Sequence, residues 1–258
     1  MTKRFNLLGL ASFLTVLALW YVFTTLVPLV NTARFPAPAE VWAAFVQVAT
    51  RGYADARLHQ HVLQSCRLVL IGFFCAISIG VPLGLAMGWS RRVEALANPA
   101  FLLLRPIPPL AWIPLAIVWL GLGDGGKVLV IWFSAFVPAV INSYTGVRTI
   151  EPYLVEAAET LGVGRVRFVF EVLIPGALPH IFTGLRLSLQ ASWTALVAGE
   201  LVGALYGLGQ VLNAAAQDIF AAMIMVGMVF VGLCGAGMTW LLGCAERAAM
   251  PWRAGERP

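Results

Sequence analysis

Charge is scarce in this chain: Asp, Glu, Lys and Arg together make up 11% of its 258 residues. A soluble globular protein carries roughly 25%, so the groups needed to cover a water-facing surface are missing. That deficit excludes an ordinary soluble enzyme or binding module. Apolar residues take the place of charge, at 60% of the chain with a mean hydropathy of +0.86. Histidine is rare as well, at three residues. His59 and His61 form a lone HxH, the pattern of a solvated loop pair rather than a ligand set. Cys66, Cys75, Cys234 and Cys244 show no CxxC spacing and read as small buried apolar residues in or beside apolar stretches. No metal site is predicted. The chain also lacks a dense basic run, so its net charge of +5 is no nucleic-acid signature; the cations read as topology signals.

Long apolar runs are what the chain has instead. A spanning helix needs about 20 mostly apolar residues. Residues 5–27 carry no charge, and neither do Leu68 to Trp89, Val128 to Val147 or Ile219 to Ala245. The run from Ala95 to Gly123 holds Arg105 among Pro99, Pro106, Pro108, Pro109 and Pro114, and the run from Ile181 to Leu205 holds Arg186 and Glu200. Lys3 and Arg4 precede the first run as in a secretory signal. Signal cores extend only about 7–15 residues, and no A-x-A-like site follows closely, so the span is read as retained. The expected fold class is all-α, a polytopic membrane protein of about six transmembrane helices in a single domain, 1–258.

The Lys/Arg bias of the loops orients it. Lys3, Arg4, Arg91, Arg92, Arg148, Arg165, Arg167, Arg247, Arg253 and Arg257 fall on one side, and Arg34, Arg51, Arg57 and Lys127 on the other. Both termini are therefore expected in the cytoplasm, with Arg186 snorkelling to that surface. Residues 38–49 place Val41, Trp42, Phe45 and Ala49 near one helical face. They suggest a short helix in the outer interface, an ordered external loop being the alternative.

Gly121 to Lys127 satisfies both GxGxxG and GxxxxGK, yet Val128 stands where a P-loop needs Ser or Thr for Mg²⁺. It reads as a flexible turn between spans. The chain is not expected to be an enzyme or to hold a cofactor of its own.

The informative segment is the cytoplasmic loop, about 148–176. Glu151-Pro152-Tyr153-Leu154-Val155-Glu156-Ala157-Ala158-Glu159-Thr160-Leu161-Gly162 reads as a helix that Pro152 can start and Gly162 can end in a left-handed conformation. Leu154, Ala157, Ala158 and Leu161 share an apolar face, with Glu156 and Glu159 pointing away. A second amphipathic helix follows, closed by Pro175 just before the fifth span. Glu-Ala-Ala, three residues, Gly, nine residues and Val-x-Ile-Pro resembles the EAA loop of permeases in importers of the ATP-binding-cassette superfamily. Arg105 to Pro114, Trp119 to Gly123, Pro175 to Pro179 and Ala198 to Leu201 look like the nitrate/sulfonate/taurine branch, and taurine permeases in particular.

The resemblance implies a type I importer permease fold and a loop that docks into an ATPase subunit through Glu156, Ala157, Ala158, Glu159, Gly162 and Pro175. It also implies a second permease copy, two cytoplasmic ATPases that bind ATP and Mg²⁺, and a periplasmic or lipid-anchored binding protein. The implied substrate is a small sulfonate such as taurine, or a nitrate-like anion. Candidate residues for the translocation path are Arg105, Trp193 and Glu200. Arg105 beside a proline-broken helix either favours a passing anion or satisfies freed carbonyls or a neighbouring acid. Glu200 reads as a structural pair or part of an external gate. Ser188, Ser192, Ala195, Gly199 and Gly203 form a small-residue stripe, either internal packing or a dimer seam. The alternative function is an ion-coupled secondary transporter, for which Glu200 would be the membrane acid.

Overall fold

The structure, a computed structural model, describes residues 2–26 and 35–252. Val27, at the expected end of the first span, and Arg34, Arg253 and Arg257 lie outside the described residues, as do the side chains of Lys3 and Arg4. Among the described residues there is no β-strand. The helices are α1 (Thr2–Tyr21), α2 (Pro38–Thr50), α3 (Leu58–Trp89), α4 (Arg91–Leu104), α5 (Ile113–Leu120), α6 (Asp124–Arg148), α7 (Pro152–Thr160), α8 (Arg165–Phe168), α9 (Ile174–Gly203), α10 (Leu208–Gln217) and α11 (Ala221–Ala249). Short π-helical turns extend α1 over Val22–Leu26 and join α8 to α9 over Val169–Leu173.

Among the described residues five stretches are long and apolar enough to cross a membrane: Gly9–Leu26, Leu58–Trp89, Asp124–Arg148, Arg165–Gly203 and Ala221–Ala249. The expected third span is not straight. α4 and the segment Pro109–Leu120 meet at 84° and make a sixth span only if the bent pair counts as one. Pro106, Pro108 and Pro109 have no backbone N–H to carry a helical ladder. The bonding stops at Arg105 N–H to Phe101 O and Ile107 N–H to Leu104 O, then restarts with Ala111 N–H to Pro108 O.

The chain gathers into two compact units, one holding Met1–Leu63 and Leu205–Gly232, the other Gln64–Ala204 and Leu233–Pro258. In the first, the short helix expected at 38–49 is α2. Its start is fixed by Pro38 and by Glu40, whose carboxylate accepts from the Ala37 N–H at 3.1 Å. Ala44 and Val48 of α2 pack on Val211 and Ala215 of α10 and on Met223 and Val226 of α11. Trp42 stays exposed. His61 lies inside α3 and is fully buried, which overturns the solvated HxH reading; His59 alone is exposed. The His61 Nδ1 accepts from the Gly207 N–H at 3.0 Å, while its Nε2 stands 2.8 Å from Tyr53 O.

In the second unit α6 is flanked by α3 and α9. Along α3 the small residues Ala76, Gly80, Gly84 and Gly88 recur every fourth position, a spacing that lets helices approach closely. A Cβ at Gly88 would sit 2.6 Å from Val147 Cβ, and one at Gly84 would collide with the Val140 carbonyl oxygen. The other stripe, on α9, is internal packing rather than an outer seam. Ser188, Ser192, Ala195 and Gly199 are buried, Ser188 Oγ donates to Ala135 O at 2.7 Å, and Gly199 lies against the Lys127 stem.

Candidate docking loop and polar core of the spans

The loop forms the helix–turn–helix that its sequence implies. Glu151 is extended, and Pro152 occupies the first turn of α7, where a missing N–H costs nothing. At the other end Gly162 takes φ +68°, and the final carbonyls are claimed by Gly162 N–H to Glu159 O and Val163 N–H to Ala158 O, both at 3.0 Å. This is a Schellman closure, and it needs a residue that tolerates the left-handed region.

Pro175 does not close the second helix. α8, the π turn and α9 run on as one helical stretch, Arg165–Gly203. The π turn explains how a proline fits inside it. Ile174 N–H reaches back five residues to Val169 O, and the widened turn makes room ahead of a ring that would otherwise strike the preceding turn.

One side of the loop is anchored and the other is bare. Ala158, Phe168 and Leu173 are buried with Val147, Ala177 and Ile181, and Val155 and Val163 pack against them. Trp89 stacks on Phe168 with ring centroids 4.8 Å apart. Tyr153, Leu154, Ala157 and Leu161 remain exposed, Leu161 by 81%, as do Glu156 and Glu159. The expected apolar face is thus divided, with Ala158 inward and the rest outward. A fixed helix with an uncovered apolar stripe rimmed by carboxylates is shaped to receive another surface.

Residues 80–247 match the family of inner membrane components of binding-protein-dependent transport systems. The chain belongs to this family. It is a multi-span permease of the ABC-importer type and an inner-membrane protein. The permease is 32% identical to the taurine transport system permease protein TauC of Escherichia coli K12, over 95% of this chain and 89% of that one. It is 30% identical to the putative aliphatic sulfonates transport permease SsuC of Bacillus subtilis, over 97% and 90%. It is 31% identical to the bicarbonate transport system permease CmpB of Synechococcus elongatus, over 89% and 84%. Among solved structures, a chain of the MetNI methionine ABC transporter in inward-facing conformations superimposes with a TM-score of 0.59 at 22% identity. That match covers 74% of this chain and 95% of that one, and it establishes the importer permease fold.

The polar residues within the permease's spans fall into two settings. Glu200 on α9 is fully buried, and Ser65 Oγ donates to both its carboxylate oxygens, at 2.8 and 3.1 Å. Nearby in sequence, Gln64 donates to Asp124 at 2.8 Å, and Asp124 pairs with Lys127 at 3.5 Å. Lys127 is itself buried in the first turns of α6, so Asp124–Lys127 is helix rather than flexible turn, and Lys127 is not a free loop charge. Trp193 is buried too, its indole N–H without a hydrogen-bond partner among the described residues. Arg105 differs: it is exposed at the α4–α5 break and has no ion pair or side-chain hydrogen bond among the described residues. The structure shows no contact joining Arg105 to the other two.

Several features escape sequence reasoning. Arg67 is exposed on α3 one residue before the charge-free run, where it goes uncounted as a topology charge. Arg186 does not simply snorkel; it pairs with Glu246 of α11. Arg148 pairs with Glu94 at 2.5 Å, and Tyr144 donates to the other oxygen of that carboxylate at 2.5 Å. None of the four cysteines is fully buried, and Cys75 is exposed. The arginine–acid pairs join residues 54 to 60 positions apart, which no local pattern announces.

Proposed function

We propose that this permease forms, with a second copy of itself, the membrane path of an ATP-driven importer for a small oxyanion of the sulfonate class, such as taurine. Each copy docks one cytoplasmic ATPase, which binds the ATP and Mg²⁺, through the exposed side of residues 151–175. A periplasmic or lipid-anchored binding protein delivers substrate, and both termini face the cytoplasm. The observation that carries this reading is the divided helix α7, with Ala158 and Val155 held inward while Leu154, Ala157 and Leu161 stay bare. The taurine and sulfonate relatives support the substrate class. Closure of the ATPases would press on α7, and the unbroken helical stretch from Arg165 to Gly203 would carry that motion into the span. Arg105, at the bend, is the residue proposed to favour an anion in transit. Trp193 offers an unclaimed donor if the helices rearrange. Glu200, which accepts from Ser65, serves as a structural anchor between α3 and α9.

Two substitutions on the bare face test the docking. Glu156→Lys and Leu161→Asp should each lower ATPase co-purification and substrate uptake about tenfold, equivalent to about 1.4 kcal/mol. The melting temperature of the isolated permease should stay close to wild type, because neither side chain is buried. Unchanged co-purification and uptake in both variants would remove residues 151–175 as the docking element.

A further inference from the structure

We propose a binding site for the phosphate headgroup of an anionic phospholipid in the groove between the end of α3 and the inner side of α7. The groove has a volume of about 630 Å³ and is bordered by Trp89, Arg91, Arg92, Glu159, Val163 and Arg165. Three of these six are arginines against one carboxylate. All three are exposed, and none has an ion pair or side-chain hydrogen bond among the described residues. Three other arginines of the same unit do have acids, Arg148 with Glu94, Arg167 with Glu171 and Arg186 with Glu246, whereas Arg67 and Arg105 stand singly among the described residues. Arg91, Arg92 and Arg165, which lack an acid, meet at this one groove. Guanidinium groups suit a phosphate, which they grip through two parallel N–H donors.

The position favours lipid over protein. Leu68 to Trp89 is a charge-free run that, at 1.5 Å per residue, spans about 33 Å, close to the hydrocarbon thickness of a bilayer. Trp89 therefore ends its helix at headgroup level, the depth where tryptophan is enriched, and Arg91 and Arg92 follow within one turn. Basic pockets at that depth are suited to anionic headgroups. The groove shares Glu159 with the rim of the docking face but not its apolar stripe. Val155 and Glu159 line it, whereas Tyr153, Leu154, Ala157 and Leu161 do not. Lipid and ATPase can then hold α7 together, which gives the anionic lipid a way to steady the docking helix.

The test uses full-length permease in detergent, assayed by native mass spectrometry for retained phosphatidylglycerol or phosphatidylcholine, beside thermal melting. Arg91→Gln/Arg92→Gln combined with Arg165→Gln should reduce phosphatidylglycerol retention at least fivefold and leave phosphatidylcholine retention unchanged. Arg167→Gln, which removes one charge from the same helical stretch, should retain phosphatidylglycerol like wild type. Lysine at all three positions should restore part of the retention and separates loss of charge from misfolding. Wild-type retention by the triple glutamine variant overturns the proposal. So does equal stabilisation by millimolar inorganic phosphate without lipid, which would mark a soluble-anion site. Loss of ATPase co-purification with lipid retention intact would mark the groove as a protein contact and overturn it as well.

Discussion

Tyr53 shows how one residue can hold a loop. Its hydroxyl donates to Asp218 at 2.5 Å, joining two segments 165 positions apart, and its ring meets Phe220 edge-on. Burial, and then the Asp218 carboxylate that accepts its proton, push the phenol well above its ordinary value. A raised acid of this kind is stabilising in its protonated form. The contribution is whole below the unfolded value near 10 and fades as pH climbs from there through the folded value. Tyr53→Phe should cost about 1 kcal/mol at pH 7, the size of an exposed hydrogen bond to a charge. The melting difference between the two proteins should shrink at pH 11. Equal melting at pH 7 would show that the contact contributes nothing. Nothing near Tyr53 in sequence points to Asp218, and the same holds for Ser65 and Glu200. His61 is misread for a related reason: a charge-poor chain makes any histidine look solvated, and only the α3 register places it inside. The local signals, by contrast, were readable. Gly162 ending α7 and Pro152 beginning it follow from backbone sterics alone.

At the scale of elements, the apolar runs mark the spanning helices well because a bilayer imposes a length, while features set by packing stay hidden. α10 is an example. Leu208, Val211, Leu212 and Ala215 make it amphipathic, yet its ten residues are too short to stand out beside two spans. Pro175 is another. A proline at a helix boundary normally stops the helix, but the π turn before it lets Arg165–Gly203 continue as one helical stretch into the span. The α3–α6 seam is the element contact most open to test. At Gly84 a methyl group meets the backbone of α6, which cannot step aside without moving the whole helix. Gly84→Ala should destabilise the permease by about 1–3 kcal/mol, as overpacking does, and lower both yield and melting temperature. Gly237→Ala on α11, where a Cβ meets nothing within 4 Å, should leave both unchanged. Equal melting of the two variants would mean that α3 and α6 are not closely packed in the membrane.

At the scale of the molecule, the question is what a charged side chain does on an apolar exterior. Arg105 stands at the 84° bend between α4 and α5, with Leu102, Leu103, Leu104, Ile107 and Leu110 exposed around it. A cation at membrane depth is disfavoured by some ~3 kcal/mol on insertion scales, so it faces water, a partner or a passing ligand once the transporter is assembled. Among the described residues Arg105 has no carboxylate or carbonyl partner, so both readings are put to the same test. If it favours an anion in transit, Arg105→Gln should lower uptake at least fivefold in vesicles while melting and ATPase co-purification hold. Arg105→Lys should recover part of the rate, because a point charge still stabilises an anion although it cannot grip one bidentately. A guanidinium that instead anchors the second copy would give a different pattern: Lys would do poorly, and both variants would lose dimer on size-exclusion chromatography along with rate. Full uptake by Arg105→Gln in an intact dimer would take this residue out of the anion path.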